Sequence, residues 1–182
     1  MRDSRATKNS TREPRGGNST PMTLRLCKIV ITMLSSVFLL VVAFNNVTDP
    51  NSNYQFVRHV LGMDTTFPGN KLMYRSIQSP VLHKAFYASI IGWEAVCCAL
   101  IGSGAFKLWK VRRASHMEWK QAKGLASVGL TASIILWYFG FMTMGGEWFL
   151  MWQSKVWNGQ DAAFRLFVFM ALTLIFLNQA DE

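Results

Sequence analysis

Along the chain, four long apolar runs alternate with polar stretches, and the lengths of the runs set the architecture. Residues 29–44 are uncharged, and Leu24, Leu26 and Cys27 extend this run past Lys28, whose flexible stem lets its ammonium snorkel toward water. Residues 85–108 include only Glu94 and Lys107 as charged positions, residues 125–152 only Glu147, and residues 162–179 only Arg165. A membrane-crossing helix takes about 20 residues at ~1.5 Å each, and with its flanks each run reaches that length. The pattern predicts an all-α fold: a four-helix transmembrane bundle with spans at about 27–44, 85–108, 125–152 and 162–179. Residues 22–182 form one membrane domain, with a partly helical outer loop, 45–84, between helices 1 and 2.

The outer loop has its own periodicity. Asn53 is placed to cap a short helix over 54–61, where Phe56, Val57, Val60 and Leu61 make one apolar stripe and Gly62 closes it. After the Pro68-Gly69 turn, Asn70 is placed to cap a second short helix over 71–77, with Met73 and Ile77 on one face. Ser79-Pro80 reads as the N-cap and first residue of the second span. The expected picture is a pair of amphipathic helices over the outer mouth of the bundle or in the interface.

Composition agrees with the membrane reading: of 182 residues, 51% are hydrophobic and 16% charged, too little charge to keep a soluble domain dispersed. The net charge of +9 would suit a nucleic-acid binder until the charges are placed. Seven of the 19 basic residues lie in 1–28, four in 45–85 and six in 107–123. With four spans, the first and last of these stretches share one side, as the positive-inside rule requires of cytoplasmic segments. No nucleic-acid reading module accompanies them. Both termini and the 107–123 loop are therefore expected in the cytoplasm, in a bacterial inner membrane, with the 45–84 loop and Trp148 and Trp152 at the outer face. Cleavage of the first run as a signal peptide is the rival reading, but no small-x-small site follows it. Residues 1–21 read as a disordered basic tail and, since Met22 makes a natural compact start, as a candidate over-extended reading frame.

Several segments are familiar together: Asn45-Asn46-Val47-Thr48-Asp49, then Phe56-Val57-Arg58-His59-Val60-Leu61-Gly62-Met63-Asp64-Thr65-Thr66-Phe67-Pro68, Tyr74-Arg75-Ser76-Ile77, Ser79-Pro80 and Trp93-Glu94. Over residues 22–182 the chain resembles the family described as predicted small integral membrane protein, domain of unknown function 2165. The resemblance implies a bacterial protein with four spans. It implies no activity, no cofactor and no functional residues.

Two intramembrane carboxylates, Glu94 and Glu147, stand out, because an acid in a span is costly unless paired, protonated or wetted. Gly129, Ser133, Leu136, Gly140, Thr143 and Glu147 recur at helical spacing, which places Glu147 on a small-residue seam of the third helix. Ala88, Gly92, Ala95, Ala99 and Gly102 make the corresponding seam of the second helix, with Glu94 about a quarter turn away. The plain reading pairs these acids with Arg58, Arg75 or Lys84 of the loop. The sharper alternative is a proton or ion path.

His59, His83 and His116 all fall outside the expected spans, which argues against haem. Asp49, His59, Asp64 and His83 are plausible metal ligands without any motif spacing. Neither a metal nor another cofactor is expected. Cys27, Cys97 and Cys98 read as small packing residues.

The leading expectation is a non-enzymatic accessory or structural membrane subunit, with Arg58, His59, Asp64, Arg75, Glu94 and Glu147 as its polar residues of interest. Its partners would be the lipid bilayer and other membrane subunits or itself, and no nucleic acid. The alternatives are a transport component using Glu94 and Glu147, or a membrane enzyme acting through Asp and His of the outer loop.

Overall fold

A computed structural model describes residues 22–181, and among them every regular element is helical. They are α1 (Met22–Thr48), α2 (Pro50–Gly62), α3 (Pro80–Lys110), α4 (His116–Ile134) and α5 (Gln160–Asn178), and α4 continues directly into a π-helix, Ile135–Trp148. Four helices, with α4 and the π-helix taken as one, are long and apolar enough to cross a membrane. The four-span bundle is thus present: each helix starts two to nine residues before its expected limit, the first two also run past their expected ends, and the third and fourth stop short of theirs, at Trp148 and Asn178. The expected tail, 1–21, lies outside the described residues.

Neighbours in sequence are neighbours in space: α1 packs on α3, α3 on α4 and α4 on α5, and α5 returns to α1. Glycines set the tightest approach. A Cβ at Gly104 would lie 2.5 Å from the Ala126 backbone N, and one at Gly129 would lie 2.9 Å from the Ile101 backbone N. Between lipid-solvated helices such close backbone contact supplies dispersion energy that hydrophobicity alone does not.

The seam expected on the second helix is largely reversed. Ala88, Gly92, Ala95 and Ala99 are exposed, while His83, Glu94, Cys97, Ile101, Gly104 and Leu108 are buried. Gly102 does meet α1, at Ser36. Small residues serve a lipid-facing side as readily as a packed one, so their spacing did not identify the inward face.

Local signals explain the helix ends. Ser79 caps α3, its Oγ accepting from the Leu82 N–H, with Pro80 in the first turn as expected. α2 starts at Pro50, whose fixed φ suits the first helical turn, three residues before the expected cap. It ends at Met63, which adopts the left-handed conformation at φ 53°. The second loop helix is reduced to a single 3₁₀ turn, Met73–Arg75. There Asn70 Oδ1 accepts from the Leu72 N–H at 2.9 Å, a local turn that competes with helix. Ser115 and Glu118 form a capping box at the start of α4.

Two apolar cores result. One joins α1, α3, α4 and α5 toward the basic end, around Leu39, Ile101, Trp119 and Met170. The other lies under the cap, where Val57, Val60 and Leu61 of α2 meet Phe149, Leu150 and Met151. One amphipathic helix, rather than two, therefore covers the bundle.

Candidate functional site

One group of interior polar residues lies near the cap-side core. Glu94 sits near the middle of the 31-residue α3 and is 1% exposed. Its Oε2 accepts from Asn46 Nδ2 at 2.8 Å, and no donor among the described residues reaches the other oxygen. The Asn46 carbonyl accepts from the Tyr87 hydroxyl at 2.5 Å, which ties the end of α1 to α3. None of the expected basic partners reaches either acid. Arg58 donates to Gln55, and Arg75 stacks on Trp148 at 4.4 Å while donating to its carbonyl.

Glu94 and Asn46 line a cavity of about 240 Å³, together with Tyr87, Trp137 and Phe141. Trp137 is 5% exposed, and its buried Nε1 has no hydrogen-bond partner among the described residues. A second, almost wholly apolar chamber of about 440 Å³ adjoins it, bounded by α2, α3 and the π-helix. Phe56, Val57, Ile90 and Phe141 line both spaces and stand between them. Exposed Phe86 and Ser89 of α3 lie at the rim of the chamber, opposite Leu136, Gly140 and Met144. Nearby, Trp93 Nε1 donates to the Ala132 carbonyl at 2.9 Å and ties α3 to α4 just before the π-helix begins.

The π-helix makes this geometry and also moves Glu147. In a continuous α-helix the inward face would run from Gly129 and Ser133 on to Glu147. Trp137, four residues after Ser133, stays on that face, but the wider i→i+5 turn brings Gly146 inward instead of Glu147 and leaves Thr143 and Glu147 exposed. Thr143 Oγ1 donates to the carbonyl five residues back, at Tyr138, and the Phe149 N–H to that of Met144. Glu147 lines neither cavity.

The remaining candidates form the cap. His59 stacks on Trp157 at 4.7 Å and its Nδ1 pairs with Asp64 at 2.7 Å. His83 Nε2 donates to the Ile77 carbonyl, and Asp49 accepts from Ser52. Of the four possible metal ligands, only His59 and Asp64 meet, and no group of three or more such residues gathers among the described residues.

Sequence comparison adds one finding. The model of one family, described as predicted small integral membrane protein, a domain of unknown function, matches residues 24–180. The chain belongs to that family. No curated protein and no solved structure matches it. The match takes in every span, α2 and the residues of both cavities, so the chamber belongs to the family's domain and not to an appendage.

A second polar cluster, at the opposite end, was not anticipated. Lys28 is buried and does not snorkel: its Nζ pairs with Asp181 Oδ1 at 2.6 Å and donates to the Gln179 carbonyl at 2.8 Å. Asp181 Oδ2 accepts from Lys123 Nζ and from Trp119 Nε1. Arg25 stacks over Trp119 and donates to the carbonyls of Arg112 and Ala114. An acid next to the C-terminus carries no sequence signal that it will fold back between helices.

Proposed function

We propose that the protein is a non-enzymatic accessory component of a bacterial cytoplasmic membrane, its termini inside, which holds the apolar chain of a membrane-dissolved molecule near its outer face. The observation that carries this reading is the roughly 440 Å³ apolar chamber between α3 and the π-helix, rimmed by residues on membrane-spanning helices. Its volume lies in the range of small-molecule sites. Its lining offers Phe, Ile, Val, Leu and Met with only Ser89 as a polar side chain, which suits a hydrocarbon guest. The positive-inside distribution of charge supports the orientation.

A photoactivatable alkyl diazirine tests this on the purified full chain in detergent micelles. Crosslinks concentrated on Phe86, Ile90, Met144 and Phe149 are expected. They should be lost when Gly140→Phe or Ser89→Phe narrows the chamber from opposite walls, in variants that keep the wild-type melting temperature. Crosslinks spread evenly over exposed positions such as Val30, Leu40 and Phe169, unchanged in both variants, would overturn the reading.

A further inference from the structure

We infer that the basic end of α3 is a binding site for the head group of an anionic phospholipid, held by Lys110 and Arg112 beside Phe106 and Trp109. The site lies at the opposite end of the bundle from the apolar chamber and does not depend on it.

Local geometry brings the four residues together. Phe106, Trp109 and Lys110 are three and four positions apart, so they share one side of α3. The Lys110 ammonium lies over the Phe106 ring at 4.7 Å, and the Arg112 guanidinium over the Trp109 ring at 4.1 Å. Arg112 Nη1 also donates to the Trp109 carbonyl at 2.7 Å. Both cations are thereby carried on the side of the rings. The turn that follows is anchored from behind, because buried Arg25 of α1 donates to the carbonyls of Arg112 and Ala114. The arrangement is in place before a ligand arrives, which lowers the ordering cost of binding.

Charge defines what binds. Lys107, Lys110, Arg112, Arg113 and Lys120 form no ion pair among the described residues, whereas buried Lys123 is paired with Asp181. Glu118 is the one acid between Glu94 and Glu147, and Ser115 engages it in the capping box. Cations without a counter-charge, next to the end of a span, attract a net negative group at the level where a bilayer presents its phosphates.

The rings decide between a lipid and a soluble anion. Phe106 and Trp109 are 54% and 45% exposed on a helix long and apolar enough to cross the membrane, and exposed Ser103 and Ala99 continue their side toward mid-span. A ligand with acyl chains covers this surface while its phosphate accepts from Lys110 and Arg112. A free phosphate or an acidic peptide would meet the charge and leave the rings uncovered.

Lipid retained by the detergent-solubilised full-length protein, counted by native mass spectrometry, tests the assignment. Phosphatidylglycerol and phosphatidylcholine with identical chains are offered in equal amounts, and phosphatidylglycerol should be retained in at least about fivefold excess. Lys110→Gln combined with Arg112→Gln should bring the ratio close to one. A charge-matched control in the outer loop, Lys71→Gln with Lys84→Gln, should leave it unchanged, both residues being exposed. Glycerophosphoglycerol, the same head group without acyl chains, should not displace the bound lipid even in large excess. Equal retention of the two lipids by the wild type overturns the inference. A ratio that survives the Lys110 and Arg112 substitutions, or that falls equally in the control, overturns the site. Displacement by glycerophosphoglycerol would reveal a soluble-anion site and overturns the lipid assignment. The wild-type ratio decides the lipid preference even if the Lys110 and Arg112 variant does not fold.

Discussion

Lys28 Nζ lies 2.6 Å from Asp181 Oδ1, an ion pair that joins the first membrane helix to the end of the chain across 153 positions of sequence. Both side chains are almost wholly buried, and Lys123 and Trp119 of α4 complete the group. One carboxylate therefore fastens three helices at the basic end. Residues that counted as charge markers for topology prove to be internal structure.

Asp181→Asn should destabilise the protein strongly, because it leaves Lys28 and Lys123 buried near each other without their counter-charge. Breaking such a buried pair costs about 3–5 kcal/mol. Thermal unfolding in detergent measures it, and a melting temperature equal to wild type would contradict the role assigned to Asp181.

The same residue sets a pH dependence. Burial disfavours its ionisation, but hydrogen bonds and charge from Lys123 and Lys28 prevail and hold its carboxyl below the ordinary carboxylate range. A depressed folded-state pKa contributes stability that is full at neutral pH and is lost as pH falls through and below about 4. The gap in melting temperature between wild type and Asp181→Asn should therefore be widest near pH 7 and shrink on acidification. A gap that grows with acid would reverse the sign.

Glu147→Gln should change stability by no more than about 0.5 kcal/mol, as for an ordinary surface position. The side chain is exposed and makes no ion pair among the described residues. Tyr87→Phe, in contrast, removes the 2.5 Å hydrogen bond to the Asn46 carbonyl and should cost about 1 kcal/mol or more. Equal effects of the two substitutions would be inconsistent with this placement of the π-helix.

Two glycines of α3 should respond oppositely to alanine. Gly104→Ala puts a methyl 2.5 Å from the Ala126 backbone, and the overpacking should cost about 1–3 kcal/mol. Gly92→Ala meets nothing within 4 Å and should be neutral or stabilising, by up to about 1 kcal/mol of helix propensity. Paired melting curves make the comparison.

The proposed orientation has a direct test. In a background with Cys27, Cys97 and Cys98 replaced, Ser52→Cys should react with an impermeant thiol reagent in intact cells and Ser115→Cys should not. The reverse pattern would invert the topology. The positive-inside argument places six basic residues of the 107–123 loop in the cytoplasm.

What the linear sequence determined is the number of spans, their approximate limits, the Ser79-Pro80 entry into α3 and the amphipathic stripe of α2. These depend on local chemistry: apolar length against bilayer thickness, and capping groups that act within one turn. The inward faces of the helices depend on which neighbours approach. The stripe of Ala88, Gly92, Ala95 and Ala99 was as regular as the buried one, and nothing local distinguished lipid from protein beside it. The π-helix rotated Glu147 outward and brought Gly146 in, a change of helical period that the run of apolar residues around Gly140 does not announce. Glu94 found Asn46, from α1, and Asp181 found two lysines more than fifty positions away, because burying a charge requires whatever partner the packing brings within reach. Local sequence could decide where the chain crosses the membrane, since that balance is settled segment by segment; only the packed bundle could decide which polar groups meet inside it.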